Sequence, residues 1–256
     1  MKSPVHPFAA EGFAQGAETY VRGRPEFPAA TQEWLRGDLG LGDGKVVLEL
    51  GAGTGKFTTR LLETGARVIA VDPVPQMLEQ LKRYTSGAKA LLGDAEHIPV
   101  SDNTVDAVVC AQSFHWFATS AALTEMHRVM KPGAMLGLIW NVRDQSVDWV
   151  AKLTALIAPY EGDAPRYDHG EWRHVFPAAG FGPLKERRFI QTHVGSAERV
   201  VVDRVASISF IAALESAERE RLLERVRALI ATTPALAGRE EVTFPYVTLA
   251  YHCARL

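Results

Sequence analysis

Val46-Val47-Leu48-Glu49-Leu50-Gly51-Ala52-Gly53-Thr54-Gly55 is the stretch that decides the fold of this chain. Apart from Glu49, its first five residues are apolar, which predicts a buried strand. Three glycines follow at alternate positions, and residues 56–63 read as the start of a helix. Strand, glycine turn and helix in that order make a nucleotide-binding corner. The glycines permit a tight turn and a close approach of ligand to backbone. The helix N-terminus aims unpaired N–H groups at whatever polar group arrives.

The pattern repeats outward from that corner. Residues 67–71, 88–92, 105–111 and 134–140 read as further strands. Phe57, Leu61 and Leu62 mark the apolar side of one intervening helix, and Met77, Leu78 and Leu81 that of the next, which Pro75 opens. A helix over 121–130 stops at Lys131-Pro132-Gly133. Alternation of this kind predicts an α/β, doubly wound, mostly parallel seven-stranded sheet, a Rossmann-like arrangement with helices on both faces. Right-handed crossovers then put the glycine turn at the carboxyl edge of the sheet. Beyond it, helices are expected over 148–159, 171–179, 196–214 and 216–232, and strands over 184–194 and 242–253. These make an antiparallel edge and a helical lid insert at about 196–235. The expected division is an N-terminal arm and first helix over 1–40, a binding core over 41–145, and a C-terminal part of the same domain over 146–256.

Bulk properties narrow the partners. The chain has 256 residues and a formal net charge of -2, which gives no electrostatic case for a nucleic-acid or membrane partner. Two cysteines, Cys110 and Cys253, are too few for a disulfide framework or a multi-thiolate zinc site, so no metal is expected. No signal peptide or membrane span is visible, and a cytoplasmic protein, monomer or homodimer, is the expectation.

Three nucleotide readings compete for the corner. A phosphate-cradling NTPase loop fails, because Phe57 follows Gly55-Lys56 and Leu50 stands where its first glycine belongs. A dinucleotide oxidoreductase wants its third glycine one residue later than Gly55. Asp72, ending the second strand, suits any adenosine ribose and does not discriminate. Glu49 does: its charge opposes a pyrophosphate and favours a ligand with a positive end. An NAD-type oxidoreductase and a non-catalytic regulatory binder remain the alternatives.

These motifs resemble those of the class I S-adenosylmethionine-dependent methyltransferases, in particular the group with small-molecule substrates. The resemblance covers roughly residues 17–141. Glu49 to Gly55 matches the family's first motif, Val71-Asp72-Pro73 with Pro75-Gln76-Met77-Leu78 the second, and Gly93-Asp94-Ala95-Glu96 the third. Phe114-His115-Trp116 matches the fourth, and His127 to Gly133 the turn before strand five. Val74 departs from a frequent serine. The resemblance implies S-adenosylmethionine as cofactor, S-adenosylhomocysteine as product, and a binding set that comprises Glu49, Gly51, Ala52, Gly53, Thr54, Gly55, Asp72 and Pro73, with Met77, Asp94, Ala95, Glu96 and Gln112. Within it, Asp72 takes the ribose hydroxyls, Met77 packs on adenine, and Asp94 and the Ala95 N–H meet the adenine edge. Tyr20-Val21-Arg22-Gly23-Arg24-Pro25 resembles the closing arm, where Tyr20 or Arg24 reaches the methionine carboxylate.

Methyl transfer needs alignment of nucleophile, methyl carbon and sulfur, and a base only if the nucleophile must lose a proton. His115 is the candidate catalytic residue, as base or as donor to an anionic substrate. Trp116, Asn141 and Arg143 complete the expected substrate site, with Arg143 suited to a carboxylate. The Phe114-His115-Trp116 stretch is compatible with the trans-aconitate methyltransferase group, which esterifies a carboxylate. The Asn/Asp-Pro-Pro-Tyr/Phe signature of amino-methylating enzymes is absent. The expected reaction is methylation of an oxygen, carboxylate or hydroxyl, of a small-molecule acceptor.

Overall fold

The computed structural model describes residues 24–163 and 165–256. Seven strands form one sheet in the order β3-β2-β1-β4-β5-β7-β6. They are β1 (Val46–Leu50), β2 (Arg67–Asp72), β3 (Lys89–Leu92), β4 (Val105–Ala111), β5 (Met130–Arg143), β6 (Lys185–Gly195) and β7 (Val242–Ala254). The first five pair in parallel, and β7 runs antiparallel between β5 and β6. This is the expected doubly wound sheet with its antiparallel edge. The chain reverses its direction of travel across the sheet between β1 and β4, which opens a crevice at their carboxyl ends.

Every residue of β1 is buried, because both faces of the sheet are covered. Val47 faces a layer made by Trp34, Leu35, Phe57 and Leu61. Leu48 and Leu50 face the opposite layer, with Phe114, Leu123 and Met126. Alternate residues thus enter two different cores, and the strand reads as a continuous apolar run. The first helix, Thr31–Glu33 with its π-helical continuation Trp34–Asp38, lies directly on β5. A Cβ on Gly137 would sit 2.9 Å from both Leu39 Cδ1 and Trp34 Cη2.

Three elements depart from expectation. β5 is longer than 134–140 at both ends. Met130 already pairs with Val105, and β7 carries the ladder on to Arg143 opposite Tyr246. That extension takes Asn141 and Arg143 past the end of β4. Residues 171–179 make only the 3₁₀ turn Glu171–Val175, since Phe176 must be extended ahead of Pro177. Residues 196–214 do not form one helix but three short pieces, Glu198–Val202, Asp203–Ala206 and Ser209–Ala212. Val200, Val201 and Val202 are all buried, which a helix with a single apolar stripe does not allow. Ser216–Thr232 is the helix expected. These segments share a core with the helix Asp148–Ile157 and with Phe244 and Tyr246 of β7. Among the described residues no helix is long and apolar enough to cross a membrane.

Gly137→Ala forces a methyl group into the contact between the first helix and the sheet. Overpacking of that kind costs roughly 1–3 kcal/mol, or about 2–12 °C of melting temperature for a chain of this size. Differential scanning calorimetry of the variant checks this, and an unchanged melting temperature would contradict the packing described.

Candidate functional site

The corner after β1 is built by backbone geometry. Gly51 and Gly53 have φ of +70° and +55°, the left-handed region that favours glycine. The N–H groups of Gly51 and Ala52 donate to Val71 O at 2.8 and 3.1 Å, which ties the turn to β2. Ser113, just past β4, donates to Leu50 O at 2.7 Å and presses on Gly51, where a Cβ would lie 2.5 Å from Ser113 Cβ. Asp72 closes the arrangement. Its two oxygens accept from Gly53 N at 2.8 Å and Val74 N at 2.9 Å. Each oxygen retains acceptor capacity toward the crevice.

Two acids are buried here. Asp72 is 6% exposed and Glu49 1% exposed, and among the described residues neither makes an ion pair. Burial pushes Asp72 up to about 6 against the pull of its two backbone N–H donors. Burial pushes Glu49 up to about 8; the Thr58 hydroxyl, donating at 2.5 Å, opposes that rise and the nearby Asp72 charge adds to it. The Thr54 hydroxyl is buried in the same wall with no hydrogen-bond partner among the described residues. Acids without cations and an orphaned hydroxyl fit a ligand that brings positive charge and polar atoms. They do not fit a diphosphate.

The crevice collects most of the expected cofactor set. Arg24, Glu49, Gly51, Ala52, Gly53 and Thr54 line it, as do Asp72, Pro73 and Met77 across the mouth of β2, and Asp94, Ala95, Glu96 and Gln112 on its far side. Asp94 uses one oxygen, Oδ1, to accept from the N–H groups of Glu96 and His97 at 2.9 and 2.8 Å, so the turn after β3 holds it in place. Gln112 has φ of +58°, held by its N–H on Ile139 O and its side-chain amide on Asn141 O. Gly55 is a correction. It does not line the crevice; the turn is complete before it, and a Cβ there would meet Leu81 and Thr85 of the next helix at 3.0 and 3.2 Å. Tyr20 lies outside the described residues.

Residues 24–27 cross the mouth of the crevice as a strap. Lys56, buried just after the glycine turn, donates to Arg24 O at 3.0 Å and pairs with Glu26 at 2.7 Å. Asn141 and Gln191 donate to Glu26 O, and Arg24 donates to Ser207 O among the short helices. Lys56, Glu26, Ser113 and Tyr246 were not legible as site residues. Only the three-dimensional register brings Lys56, Ser113 and Tyr246 to the crevice wall and sets Glu26 against Lys56, and Tyr246 is buried there with an orphaned hydroxyl.

A second cavity opens beside the first and holds His115, Trp116, Asn141 and Arg143. The base role of His115 is corrected here. The Trp140 indole N–H donates to His115 Nδ1 at 3.1 Å. An indole can only donate, so Nδ1 carries the lone pair and the neutral ring bears its proton on Nε2. Burial, with the charges of Arg166, Arg24 and His169, pushes the ring down to about 3. At neutral pH His115 is therefore a hydrogen-bond donor. Arg143 is 7% exposed, and burial followed by the charges of Arg204 and Arg166 lowers it to about 10. Asn141 has a structural share of the site, since its Oδ1 accepts from Thr248 at 2.5 Å. Among the described residues no cluster of metal-ligating side chains occurs.

Residues 48–138 match the methyltransferase domain family. Across 237 residues the chain is 40% identical to an uncharacterized methyltransferase of Mycobacterium tuberculosis, with 93% of each chain covered. This chain belongs to the class I S-adenosylmethionine-dependent methyltransferases. The oxidoreductase alternative falls with that assignment. A candidate type II methyltransferase structure from Anaeromyxobacter dehalogenans shares the methyltransferase fold, with a TM-score of 0.68 at 22% identity over 91% of this chain and 97% of the other. A shorter likeness, 39% over 106 residues, covers 41% of this chain and 39% of a malonyl-[acyl-carrier protein] O-methyltransferase of Yersinia pestis.

The buried acids set a pH dependence for the ligand-free methyltransferase. Both folded pKa values lie above the unfolded ones, so the folded state binds protons more tightly. Their contribution to stability is present below the ordinary carboxylate range and is lost as pH rises through about 8, the folded value of Glu49. The melting temperature is expected to fall as pH rises from the ordinary carboxylate range to about 8 and to level off above it, with Glu49 alone carrying the fall above about pH 6, and Glu49→Gln to flatten that upper part. A slope unchanged in the variant would sink this account of Glu49.

Proposed function

We propose that this methyltransferase places the methyl group on a carboxylate oxygen of a small acceptor held in the second cavity. The observation that carries this reading is the composition of the seam. Arg24, Gln112, Trp116, Asn141 and Arg204 line both cavities, and none of them accepts a proton at neutral pH. His115, the nearby imidazole, has its basic nitrogen engaged by Trp140. A hydroxyl acceptor requires a base at that point, whereas a carboxylate is already ionised. The partial likeness to an O-methyltransferase agrees with oxygen as the target.

Bound in the crevice, S-adenosylmethionine would supply a methyl carbon on a sulfonium, whose bond to sulfur can break with its electron pair left on sulfur as the acceptor oxygen bonds to that carbon. The residues of the chain do the rest. Asp72 would receive the ribose hydroxyls, Met77 would pack on the adenine, and Asp94 with the Ala95 N–H would read its edge. Glu49 and the glycine turn would hold the methionine end, whose positive charge would favour the ionised form of Glu49. Arg204 and the His115 Nε2–H orient the acceptor carboxylate. The strap over residues 24–27 and the helices over 198–212 exclude water, which matters because alignment and desolvation supply the rate. Esterification removes the acceptor's reacting charge, so the product is held less tightly by arginine than the substrate was.

Two measurements test this. S-adenosylhomocysteine at a hundredfold over its Kd adds about 2.7 kcal/mol, or about 5–10 °C of melting temperature, and Asp72→Ala is expected to lose most of that shift. With methyl-labelled cofactor and a metabolite extract, the labelled product is expected to release volatile methanol in alkali, as an ester does. An alkali-stable label would place the methyl on nitrogen, carbon or an ether oxygen and overturn the carboxylate reading.

A further inference from the structure

The second cavity carries more positive charge than one carboxylate needs. Four arginines line it, Arg24, Arg143, Arg166 and Arg204, with Asp168 as the single carboxylate among its lining residues. They come from four separate segments: the strap, the end of β5, the loop before Trp172, and the helix Asp203–Ala206. A chain with a net charge of -2 concentrates them at one place. Arg166 has a partner, Glu161, at 2.8 Å. Arg143 and Arg204 make no ion pair among the described residues, and Nε and Nη1 of Arg204 are buried with no hydrogen-bond partner. Buried guanidinium groups left without acceptors are strongly unfavourable, and these three also repel one another.

The positions of the arginines divide them. Arg24 and Arg204 line both cavities, at the seam proposed for methyl transfer, and Arg24 there donates to Ser207 O. Arg143 and Arg166 line the second cavity only. Between these ends the walls are aromatic, from Trp140, Tyr167 and Phe210, and Arg166 lies over the Phe210 ring at 5.2 Å. Resting on the methyltransferase reading above, we infer that the acceptor is at least dianionic: one carboxylate lies at Arg204 to receive the methyl group, and a second anion, a carboxylate or a phosphate, is gripped by Arg143 and Arg166. Arginine suits both anions because its planar fork makes two parallel hydrogen bonds to either. A short apolar spacer between the anions fits the aromatic walls.

The test is binding to the protein saturated with S-adenosylhomocysteine, read by calorimetry. The probes are linear α,ω-dicarboxylates of four to six carbons, their monomethyl esters, and phosphonocarboxylates of matching length. At least one dianion is expected to bind 30-fold or more tightly than its monoester. Arg143→Met is expected to collapse that ratio to below about fivefold, an effect on the scale of one bidentate pair. Arg166→Gln, at a less buried position, repeats the measurement should the first variant fold poorly. Retention of the S-adenosylhomocysteine melting shift in either variant shows the cofactor crevice intact. The dicarboxylate and phosphonate arms differ only in the distal anion, so the tighter one names it. No preference for dianions, whether both probes bind alike or neither binds, overturns the second-anion site. The methyltransferase reading would still stand on the melting shift and the alkali-labile product, and it falls only if those fail.

Discussion

Asp72 is the residue on which the rest of the site depends. Its carboxylate takes the N–H of Gly53 on one oxygen and the N–H of Val74 on the other, so one side chain fixes the turn after β1 to the turn after β2. Both turns carry lining residues of the cofactor crevice. The cost is a charge held at 6% exposure with hydrogen bonds but no cation. Glu49, deeper on the adjacent strand, repeats the arrangement with a threonine hydroxyl as its partner. Two acids kept so close without a counter-ion are a destabilising arrangement in the free protein, and a positively charged ligand relieves it. Function and local instability thus share one cause.

The two cavities have opposite electrostatic character, and β5 explains how they meet. The antiparallel ladder with β7 extends β5 to Arg143, well past the last β4 partner at Ile139. Asn141 and Arg143 therefore stand above the sheet edge, one at the seam and one in the arginine-lined cavity. Asn141 also holds the strap, through Glu26 O, and accepts from Thr248 of β7. A single strand extension joins the acceptor pocket, the cofactor cover and the antiparallel edge. The same link gives the short helices over 198–212 a fixed partner, since Arg24 of the strap donates to Ser207 O.

What could be read in the sequence follows from how local each signal is. That the glycine corner, Asp72, Met77 and Asp94 meet at one crevice is legible, because strand–turn–helix geometry places them from sequence spacing alone. The order of strands followed from alternation and handedness. Gly55 continues the alternate spacing of Gly51 and Gly53, and only the structure sets it apart, against Leu81 and Thr85. His115 sat in the right cavity, yet its protonation depends on Trp140, 25 residues away in the chain. Of the arginine cluster only Arg24 and Arg143 are legible, because Arg166 and Arg204 arrive from a loop and a broken helix that share no period with β5. The breaks over 198–212 carry no local signal, since whether Val200, Val201 and Val202 are all buried is decided by the core they share with other elements.

Charge changes during the reaction favour an uneven distribution of arginines. When a carboxylate reacts with a sulfonium, both charges vanish, so the transition state is less polar than the bound reactants. A strong grip on the reacting carboxylate would stabilise the ground state more than the transition state and slow the step. An anion that keeps its charge throughout can be held as tightly as the site permits without that penalty, because the grip is equal in both states. Its binding energy can then be used to position the reacting end. At the seam Arg24 is engaged by Ser207 O and Arg204 faces the acceptor, while Arg143, Arg166 and the neutral His115 line the second cavity alone, an arrangement that satisfies that requirement. A neutral His115 is the better choice there as well, since a hydrogen bond from an uncharged ring orients the carboxylate without holding its charge.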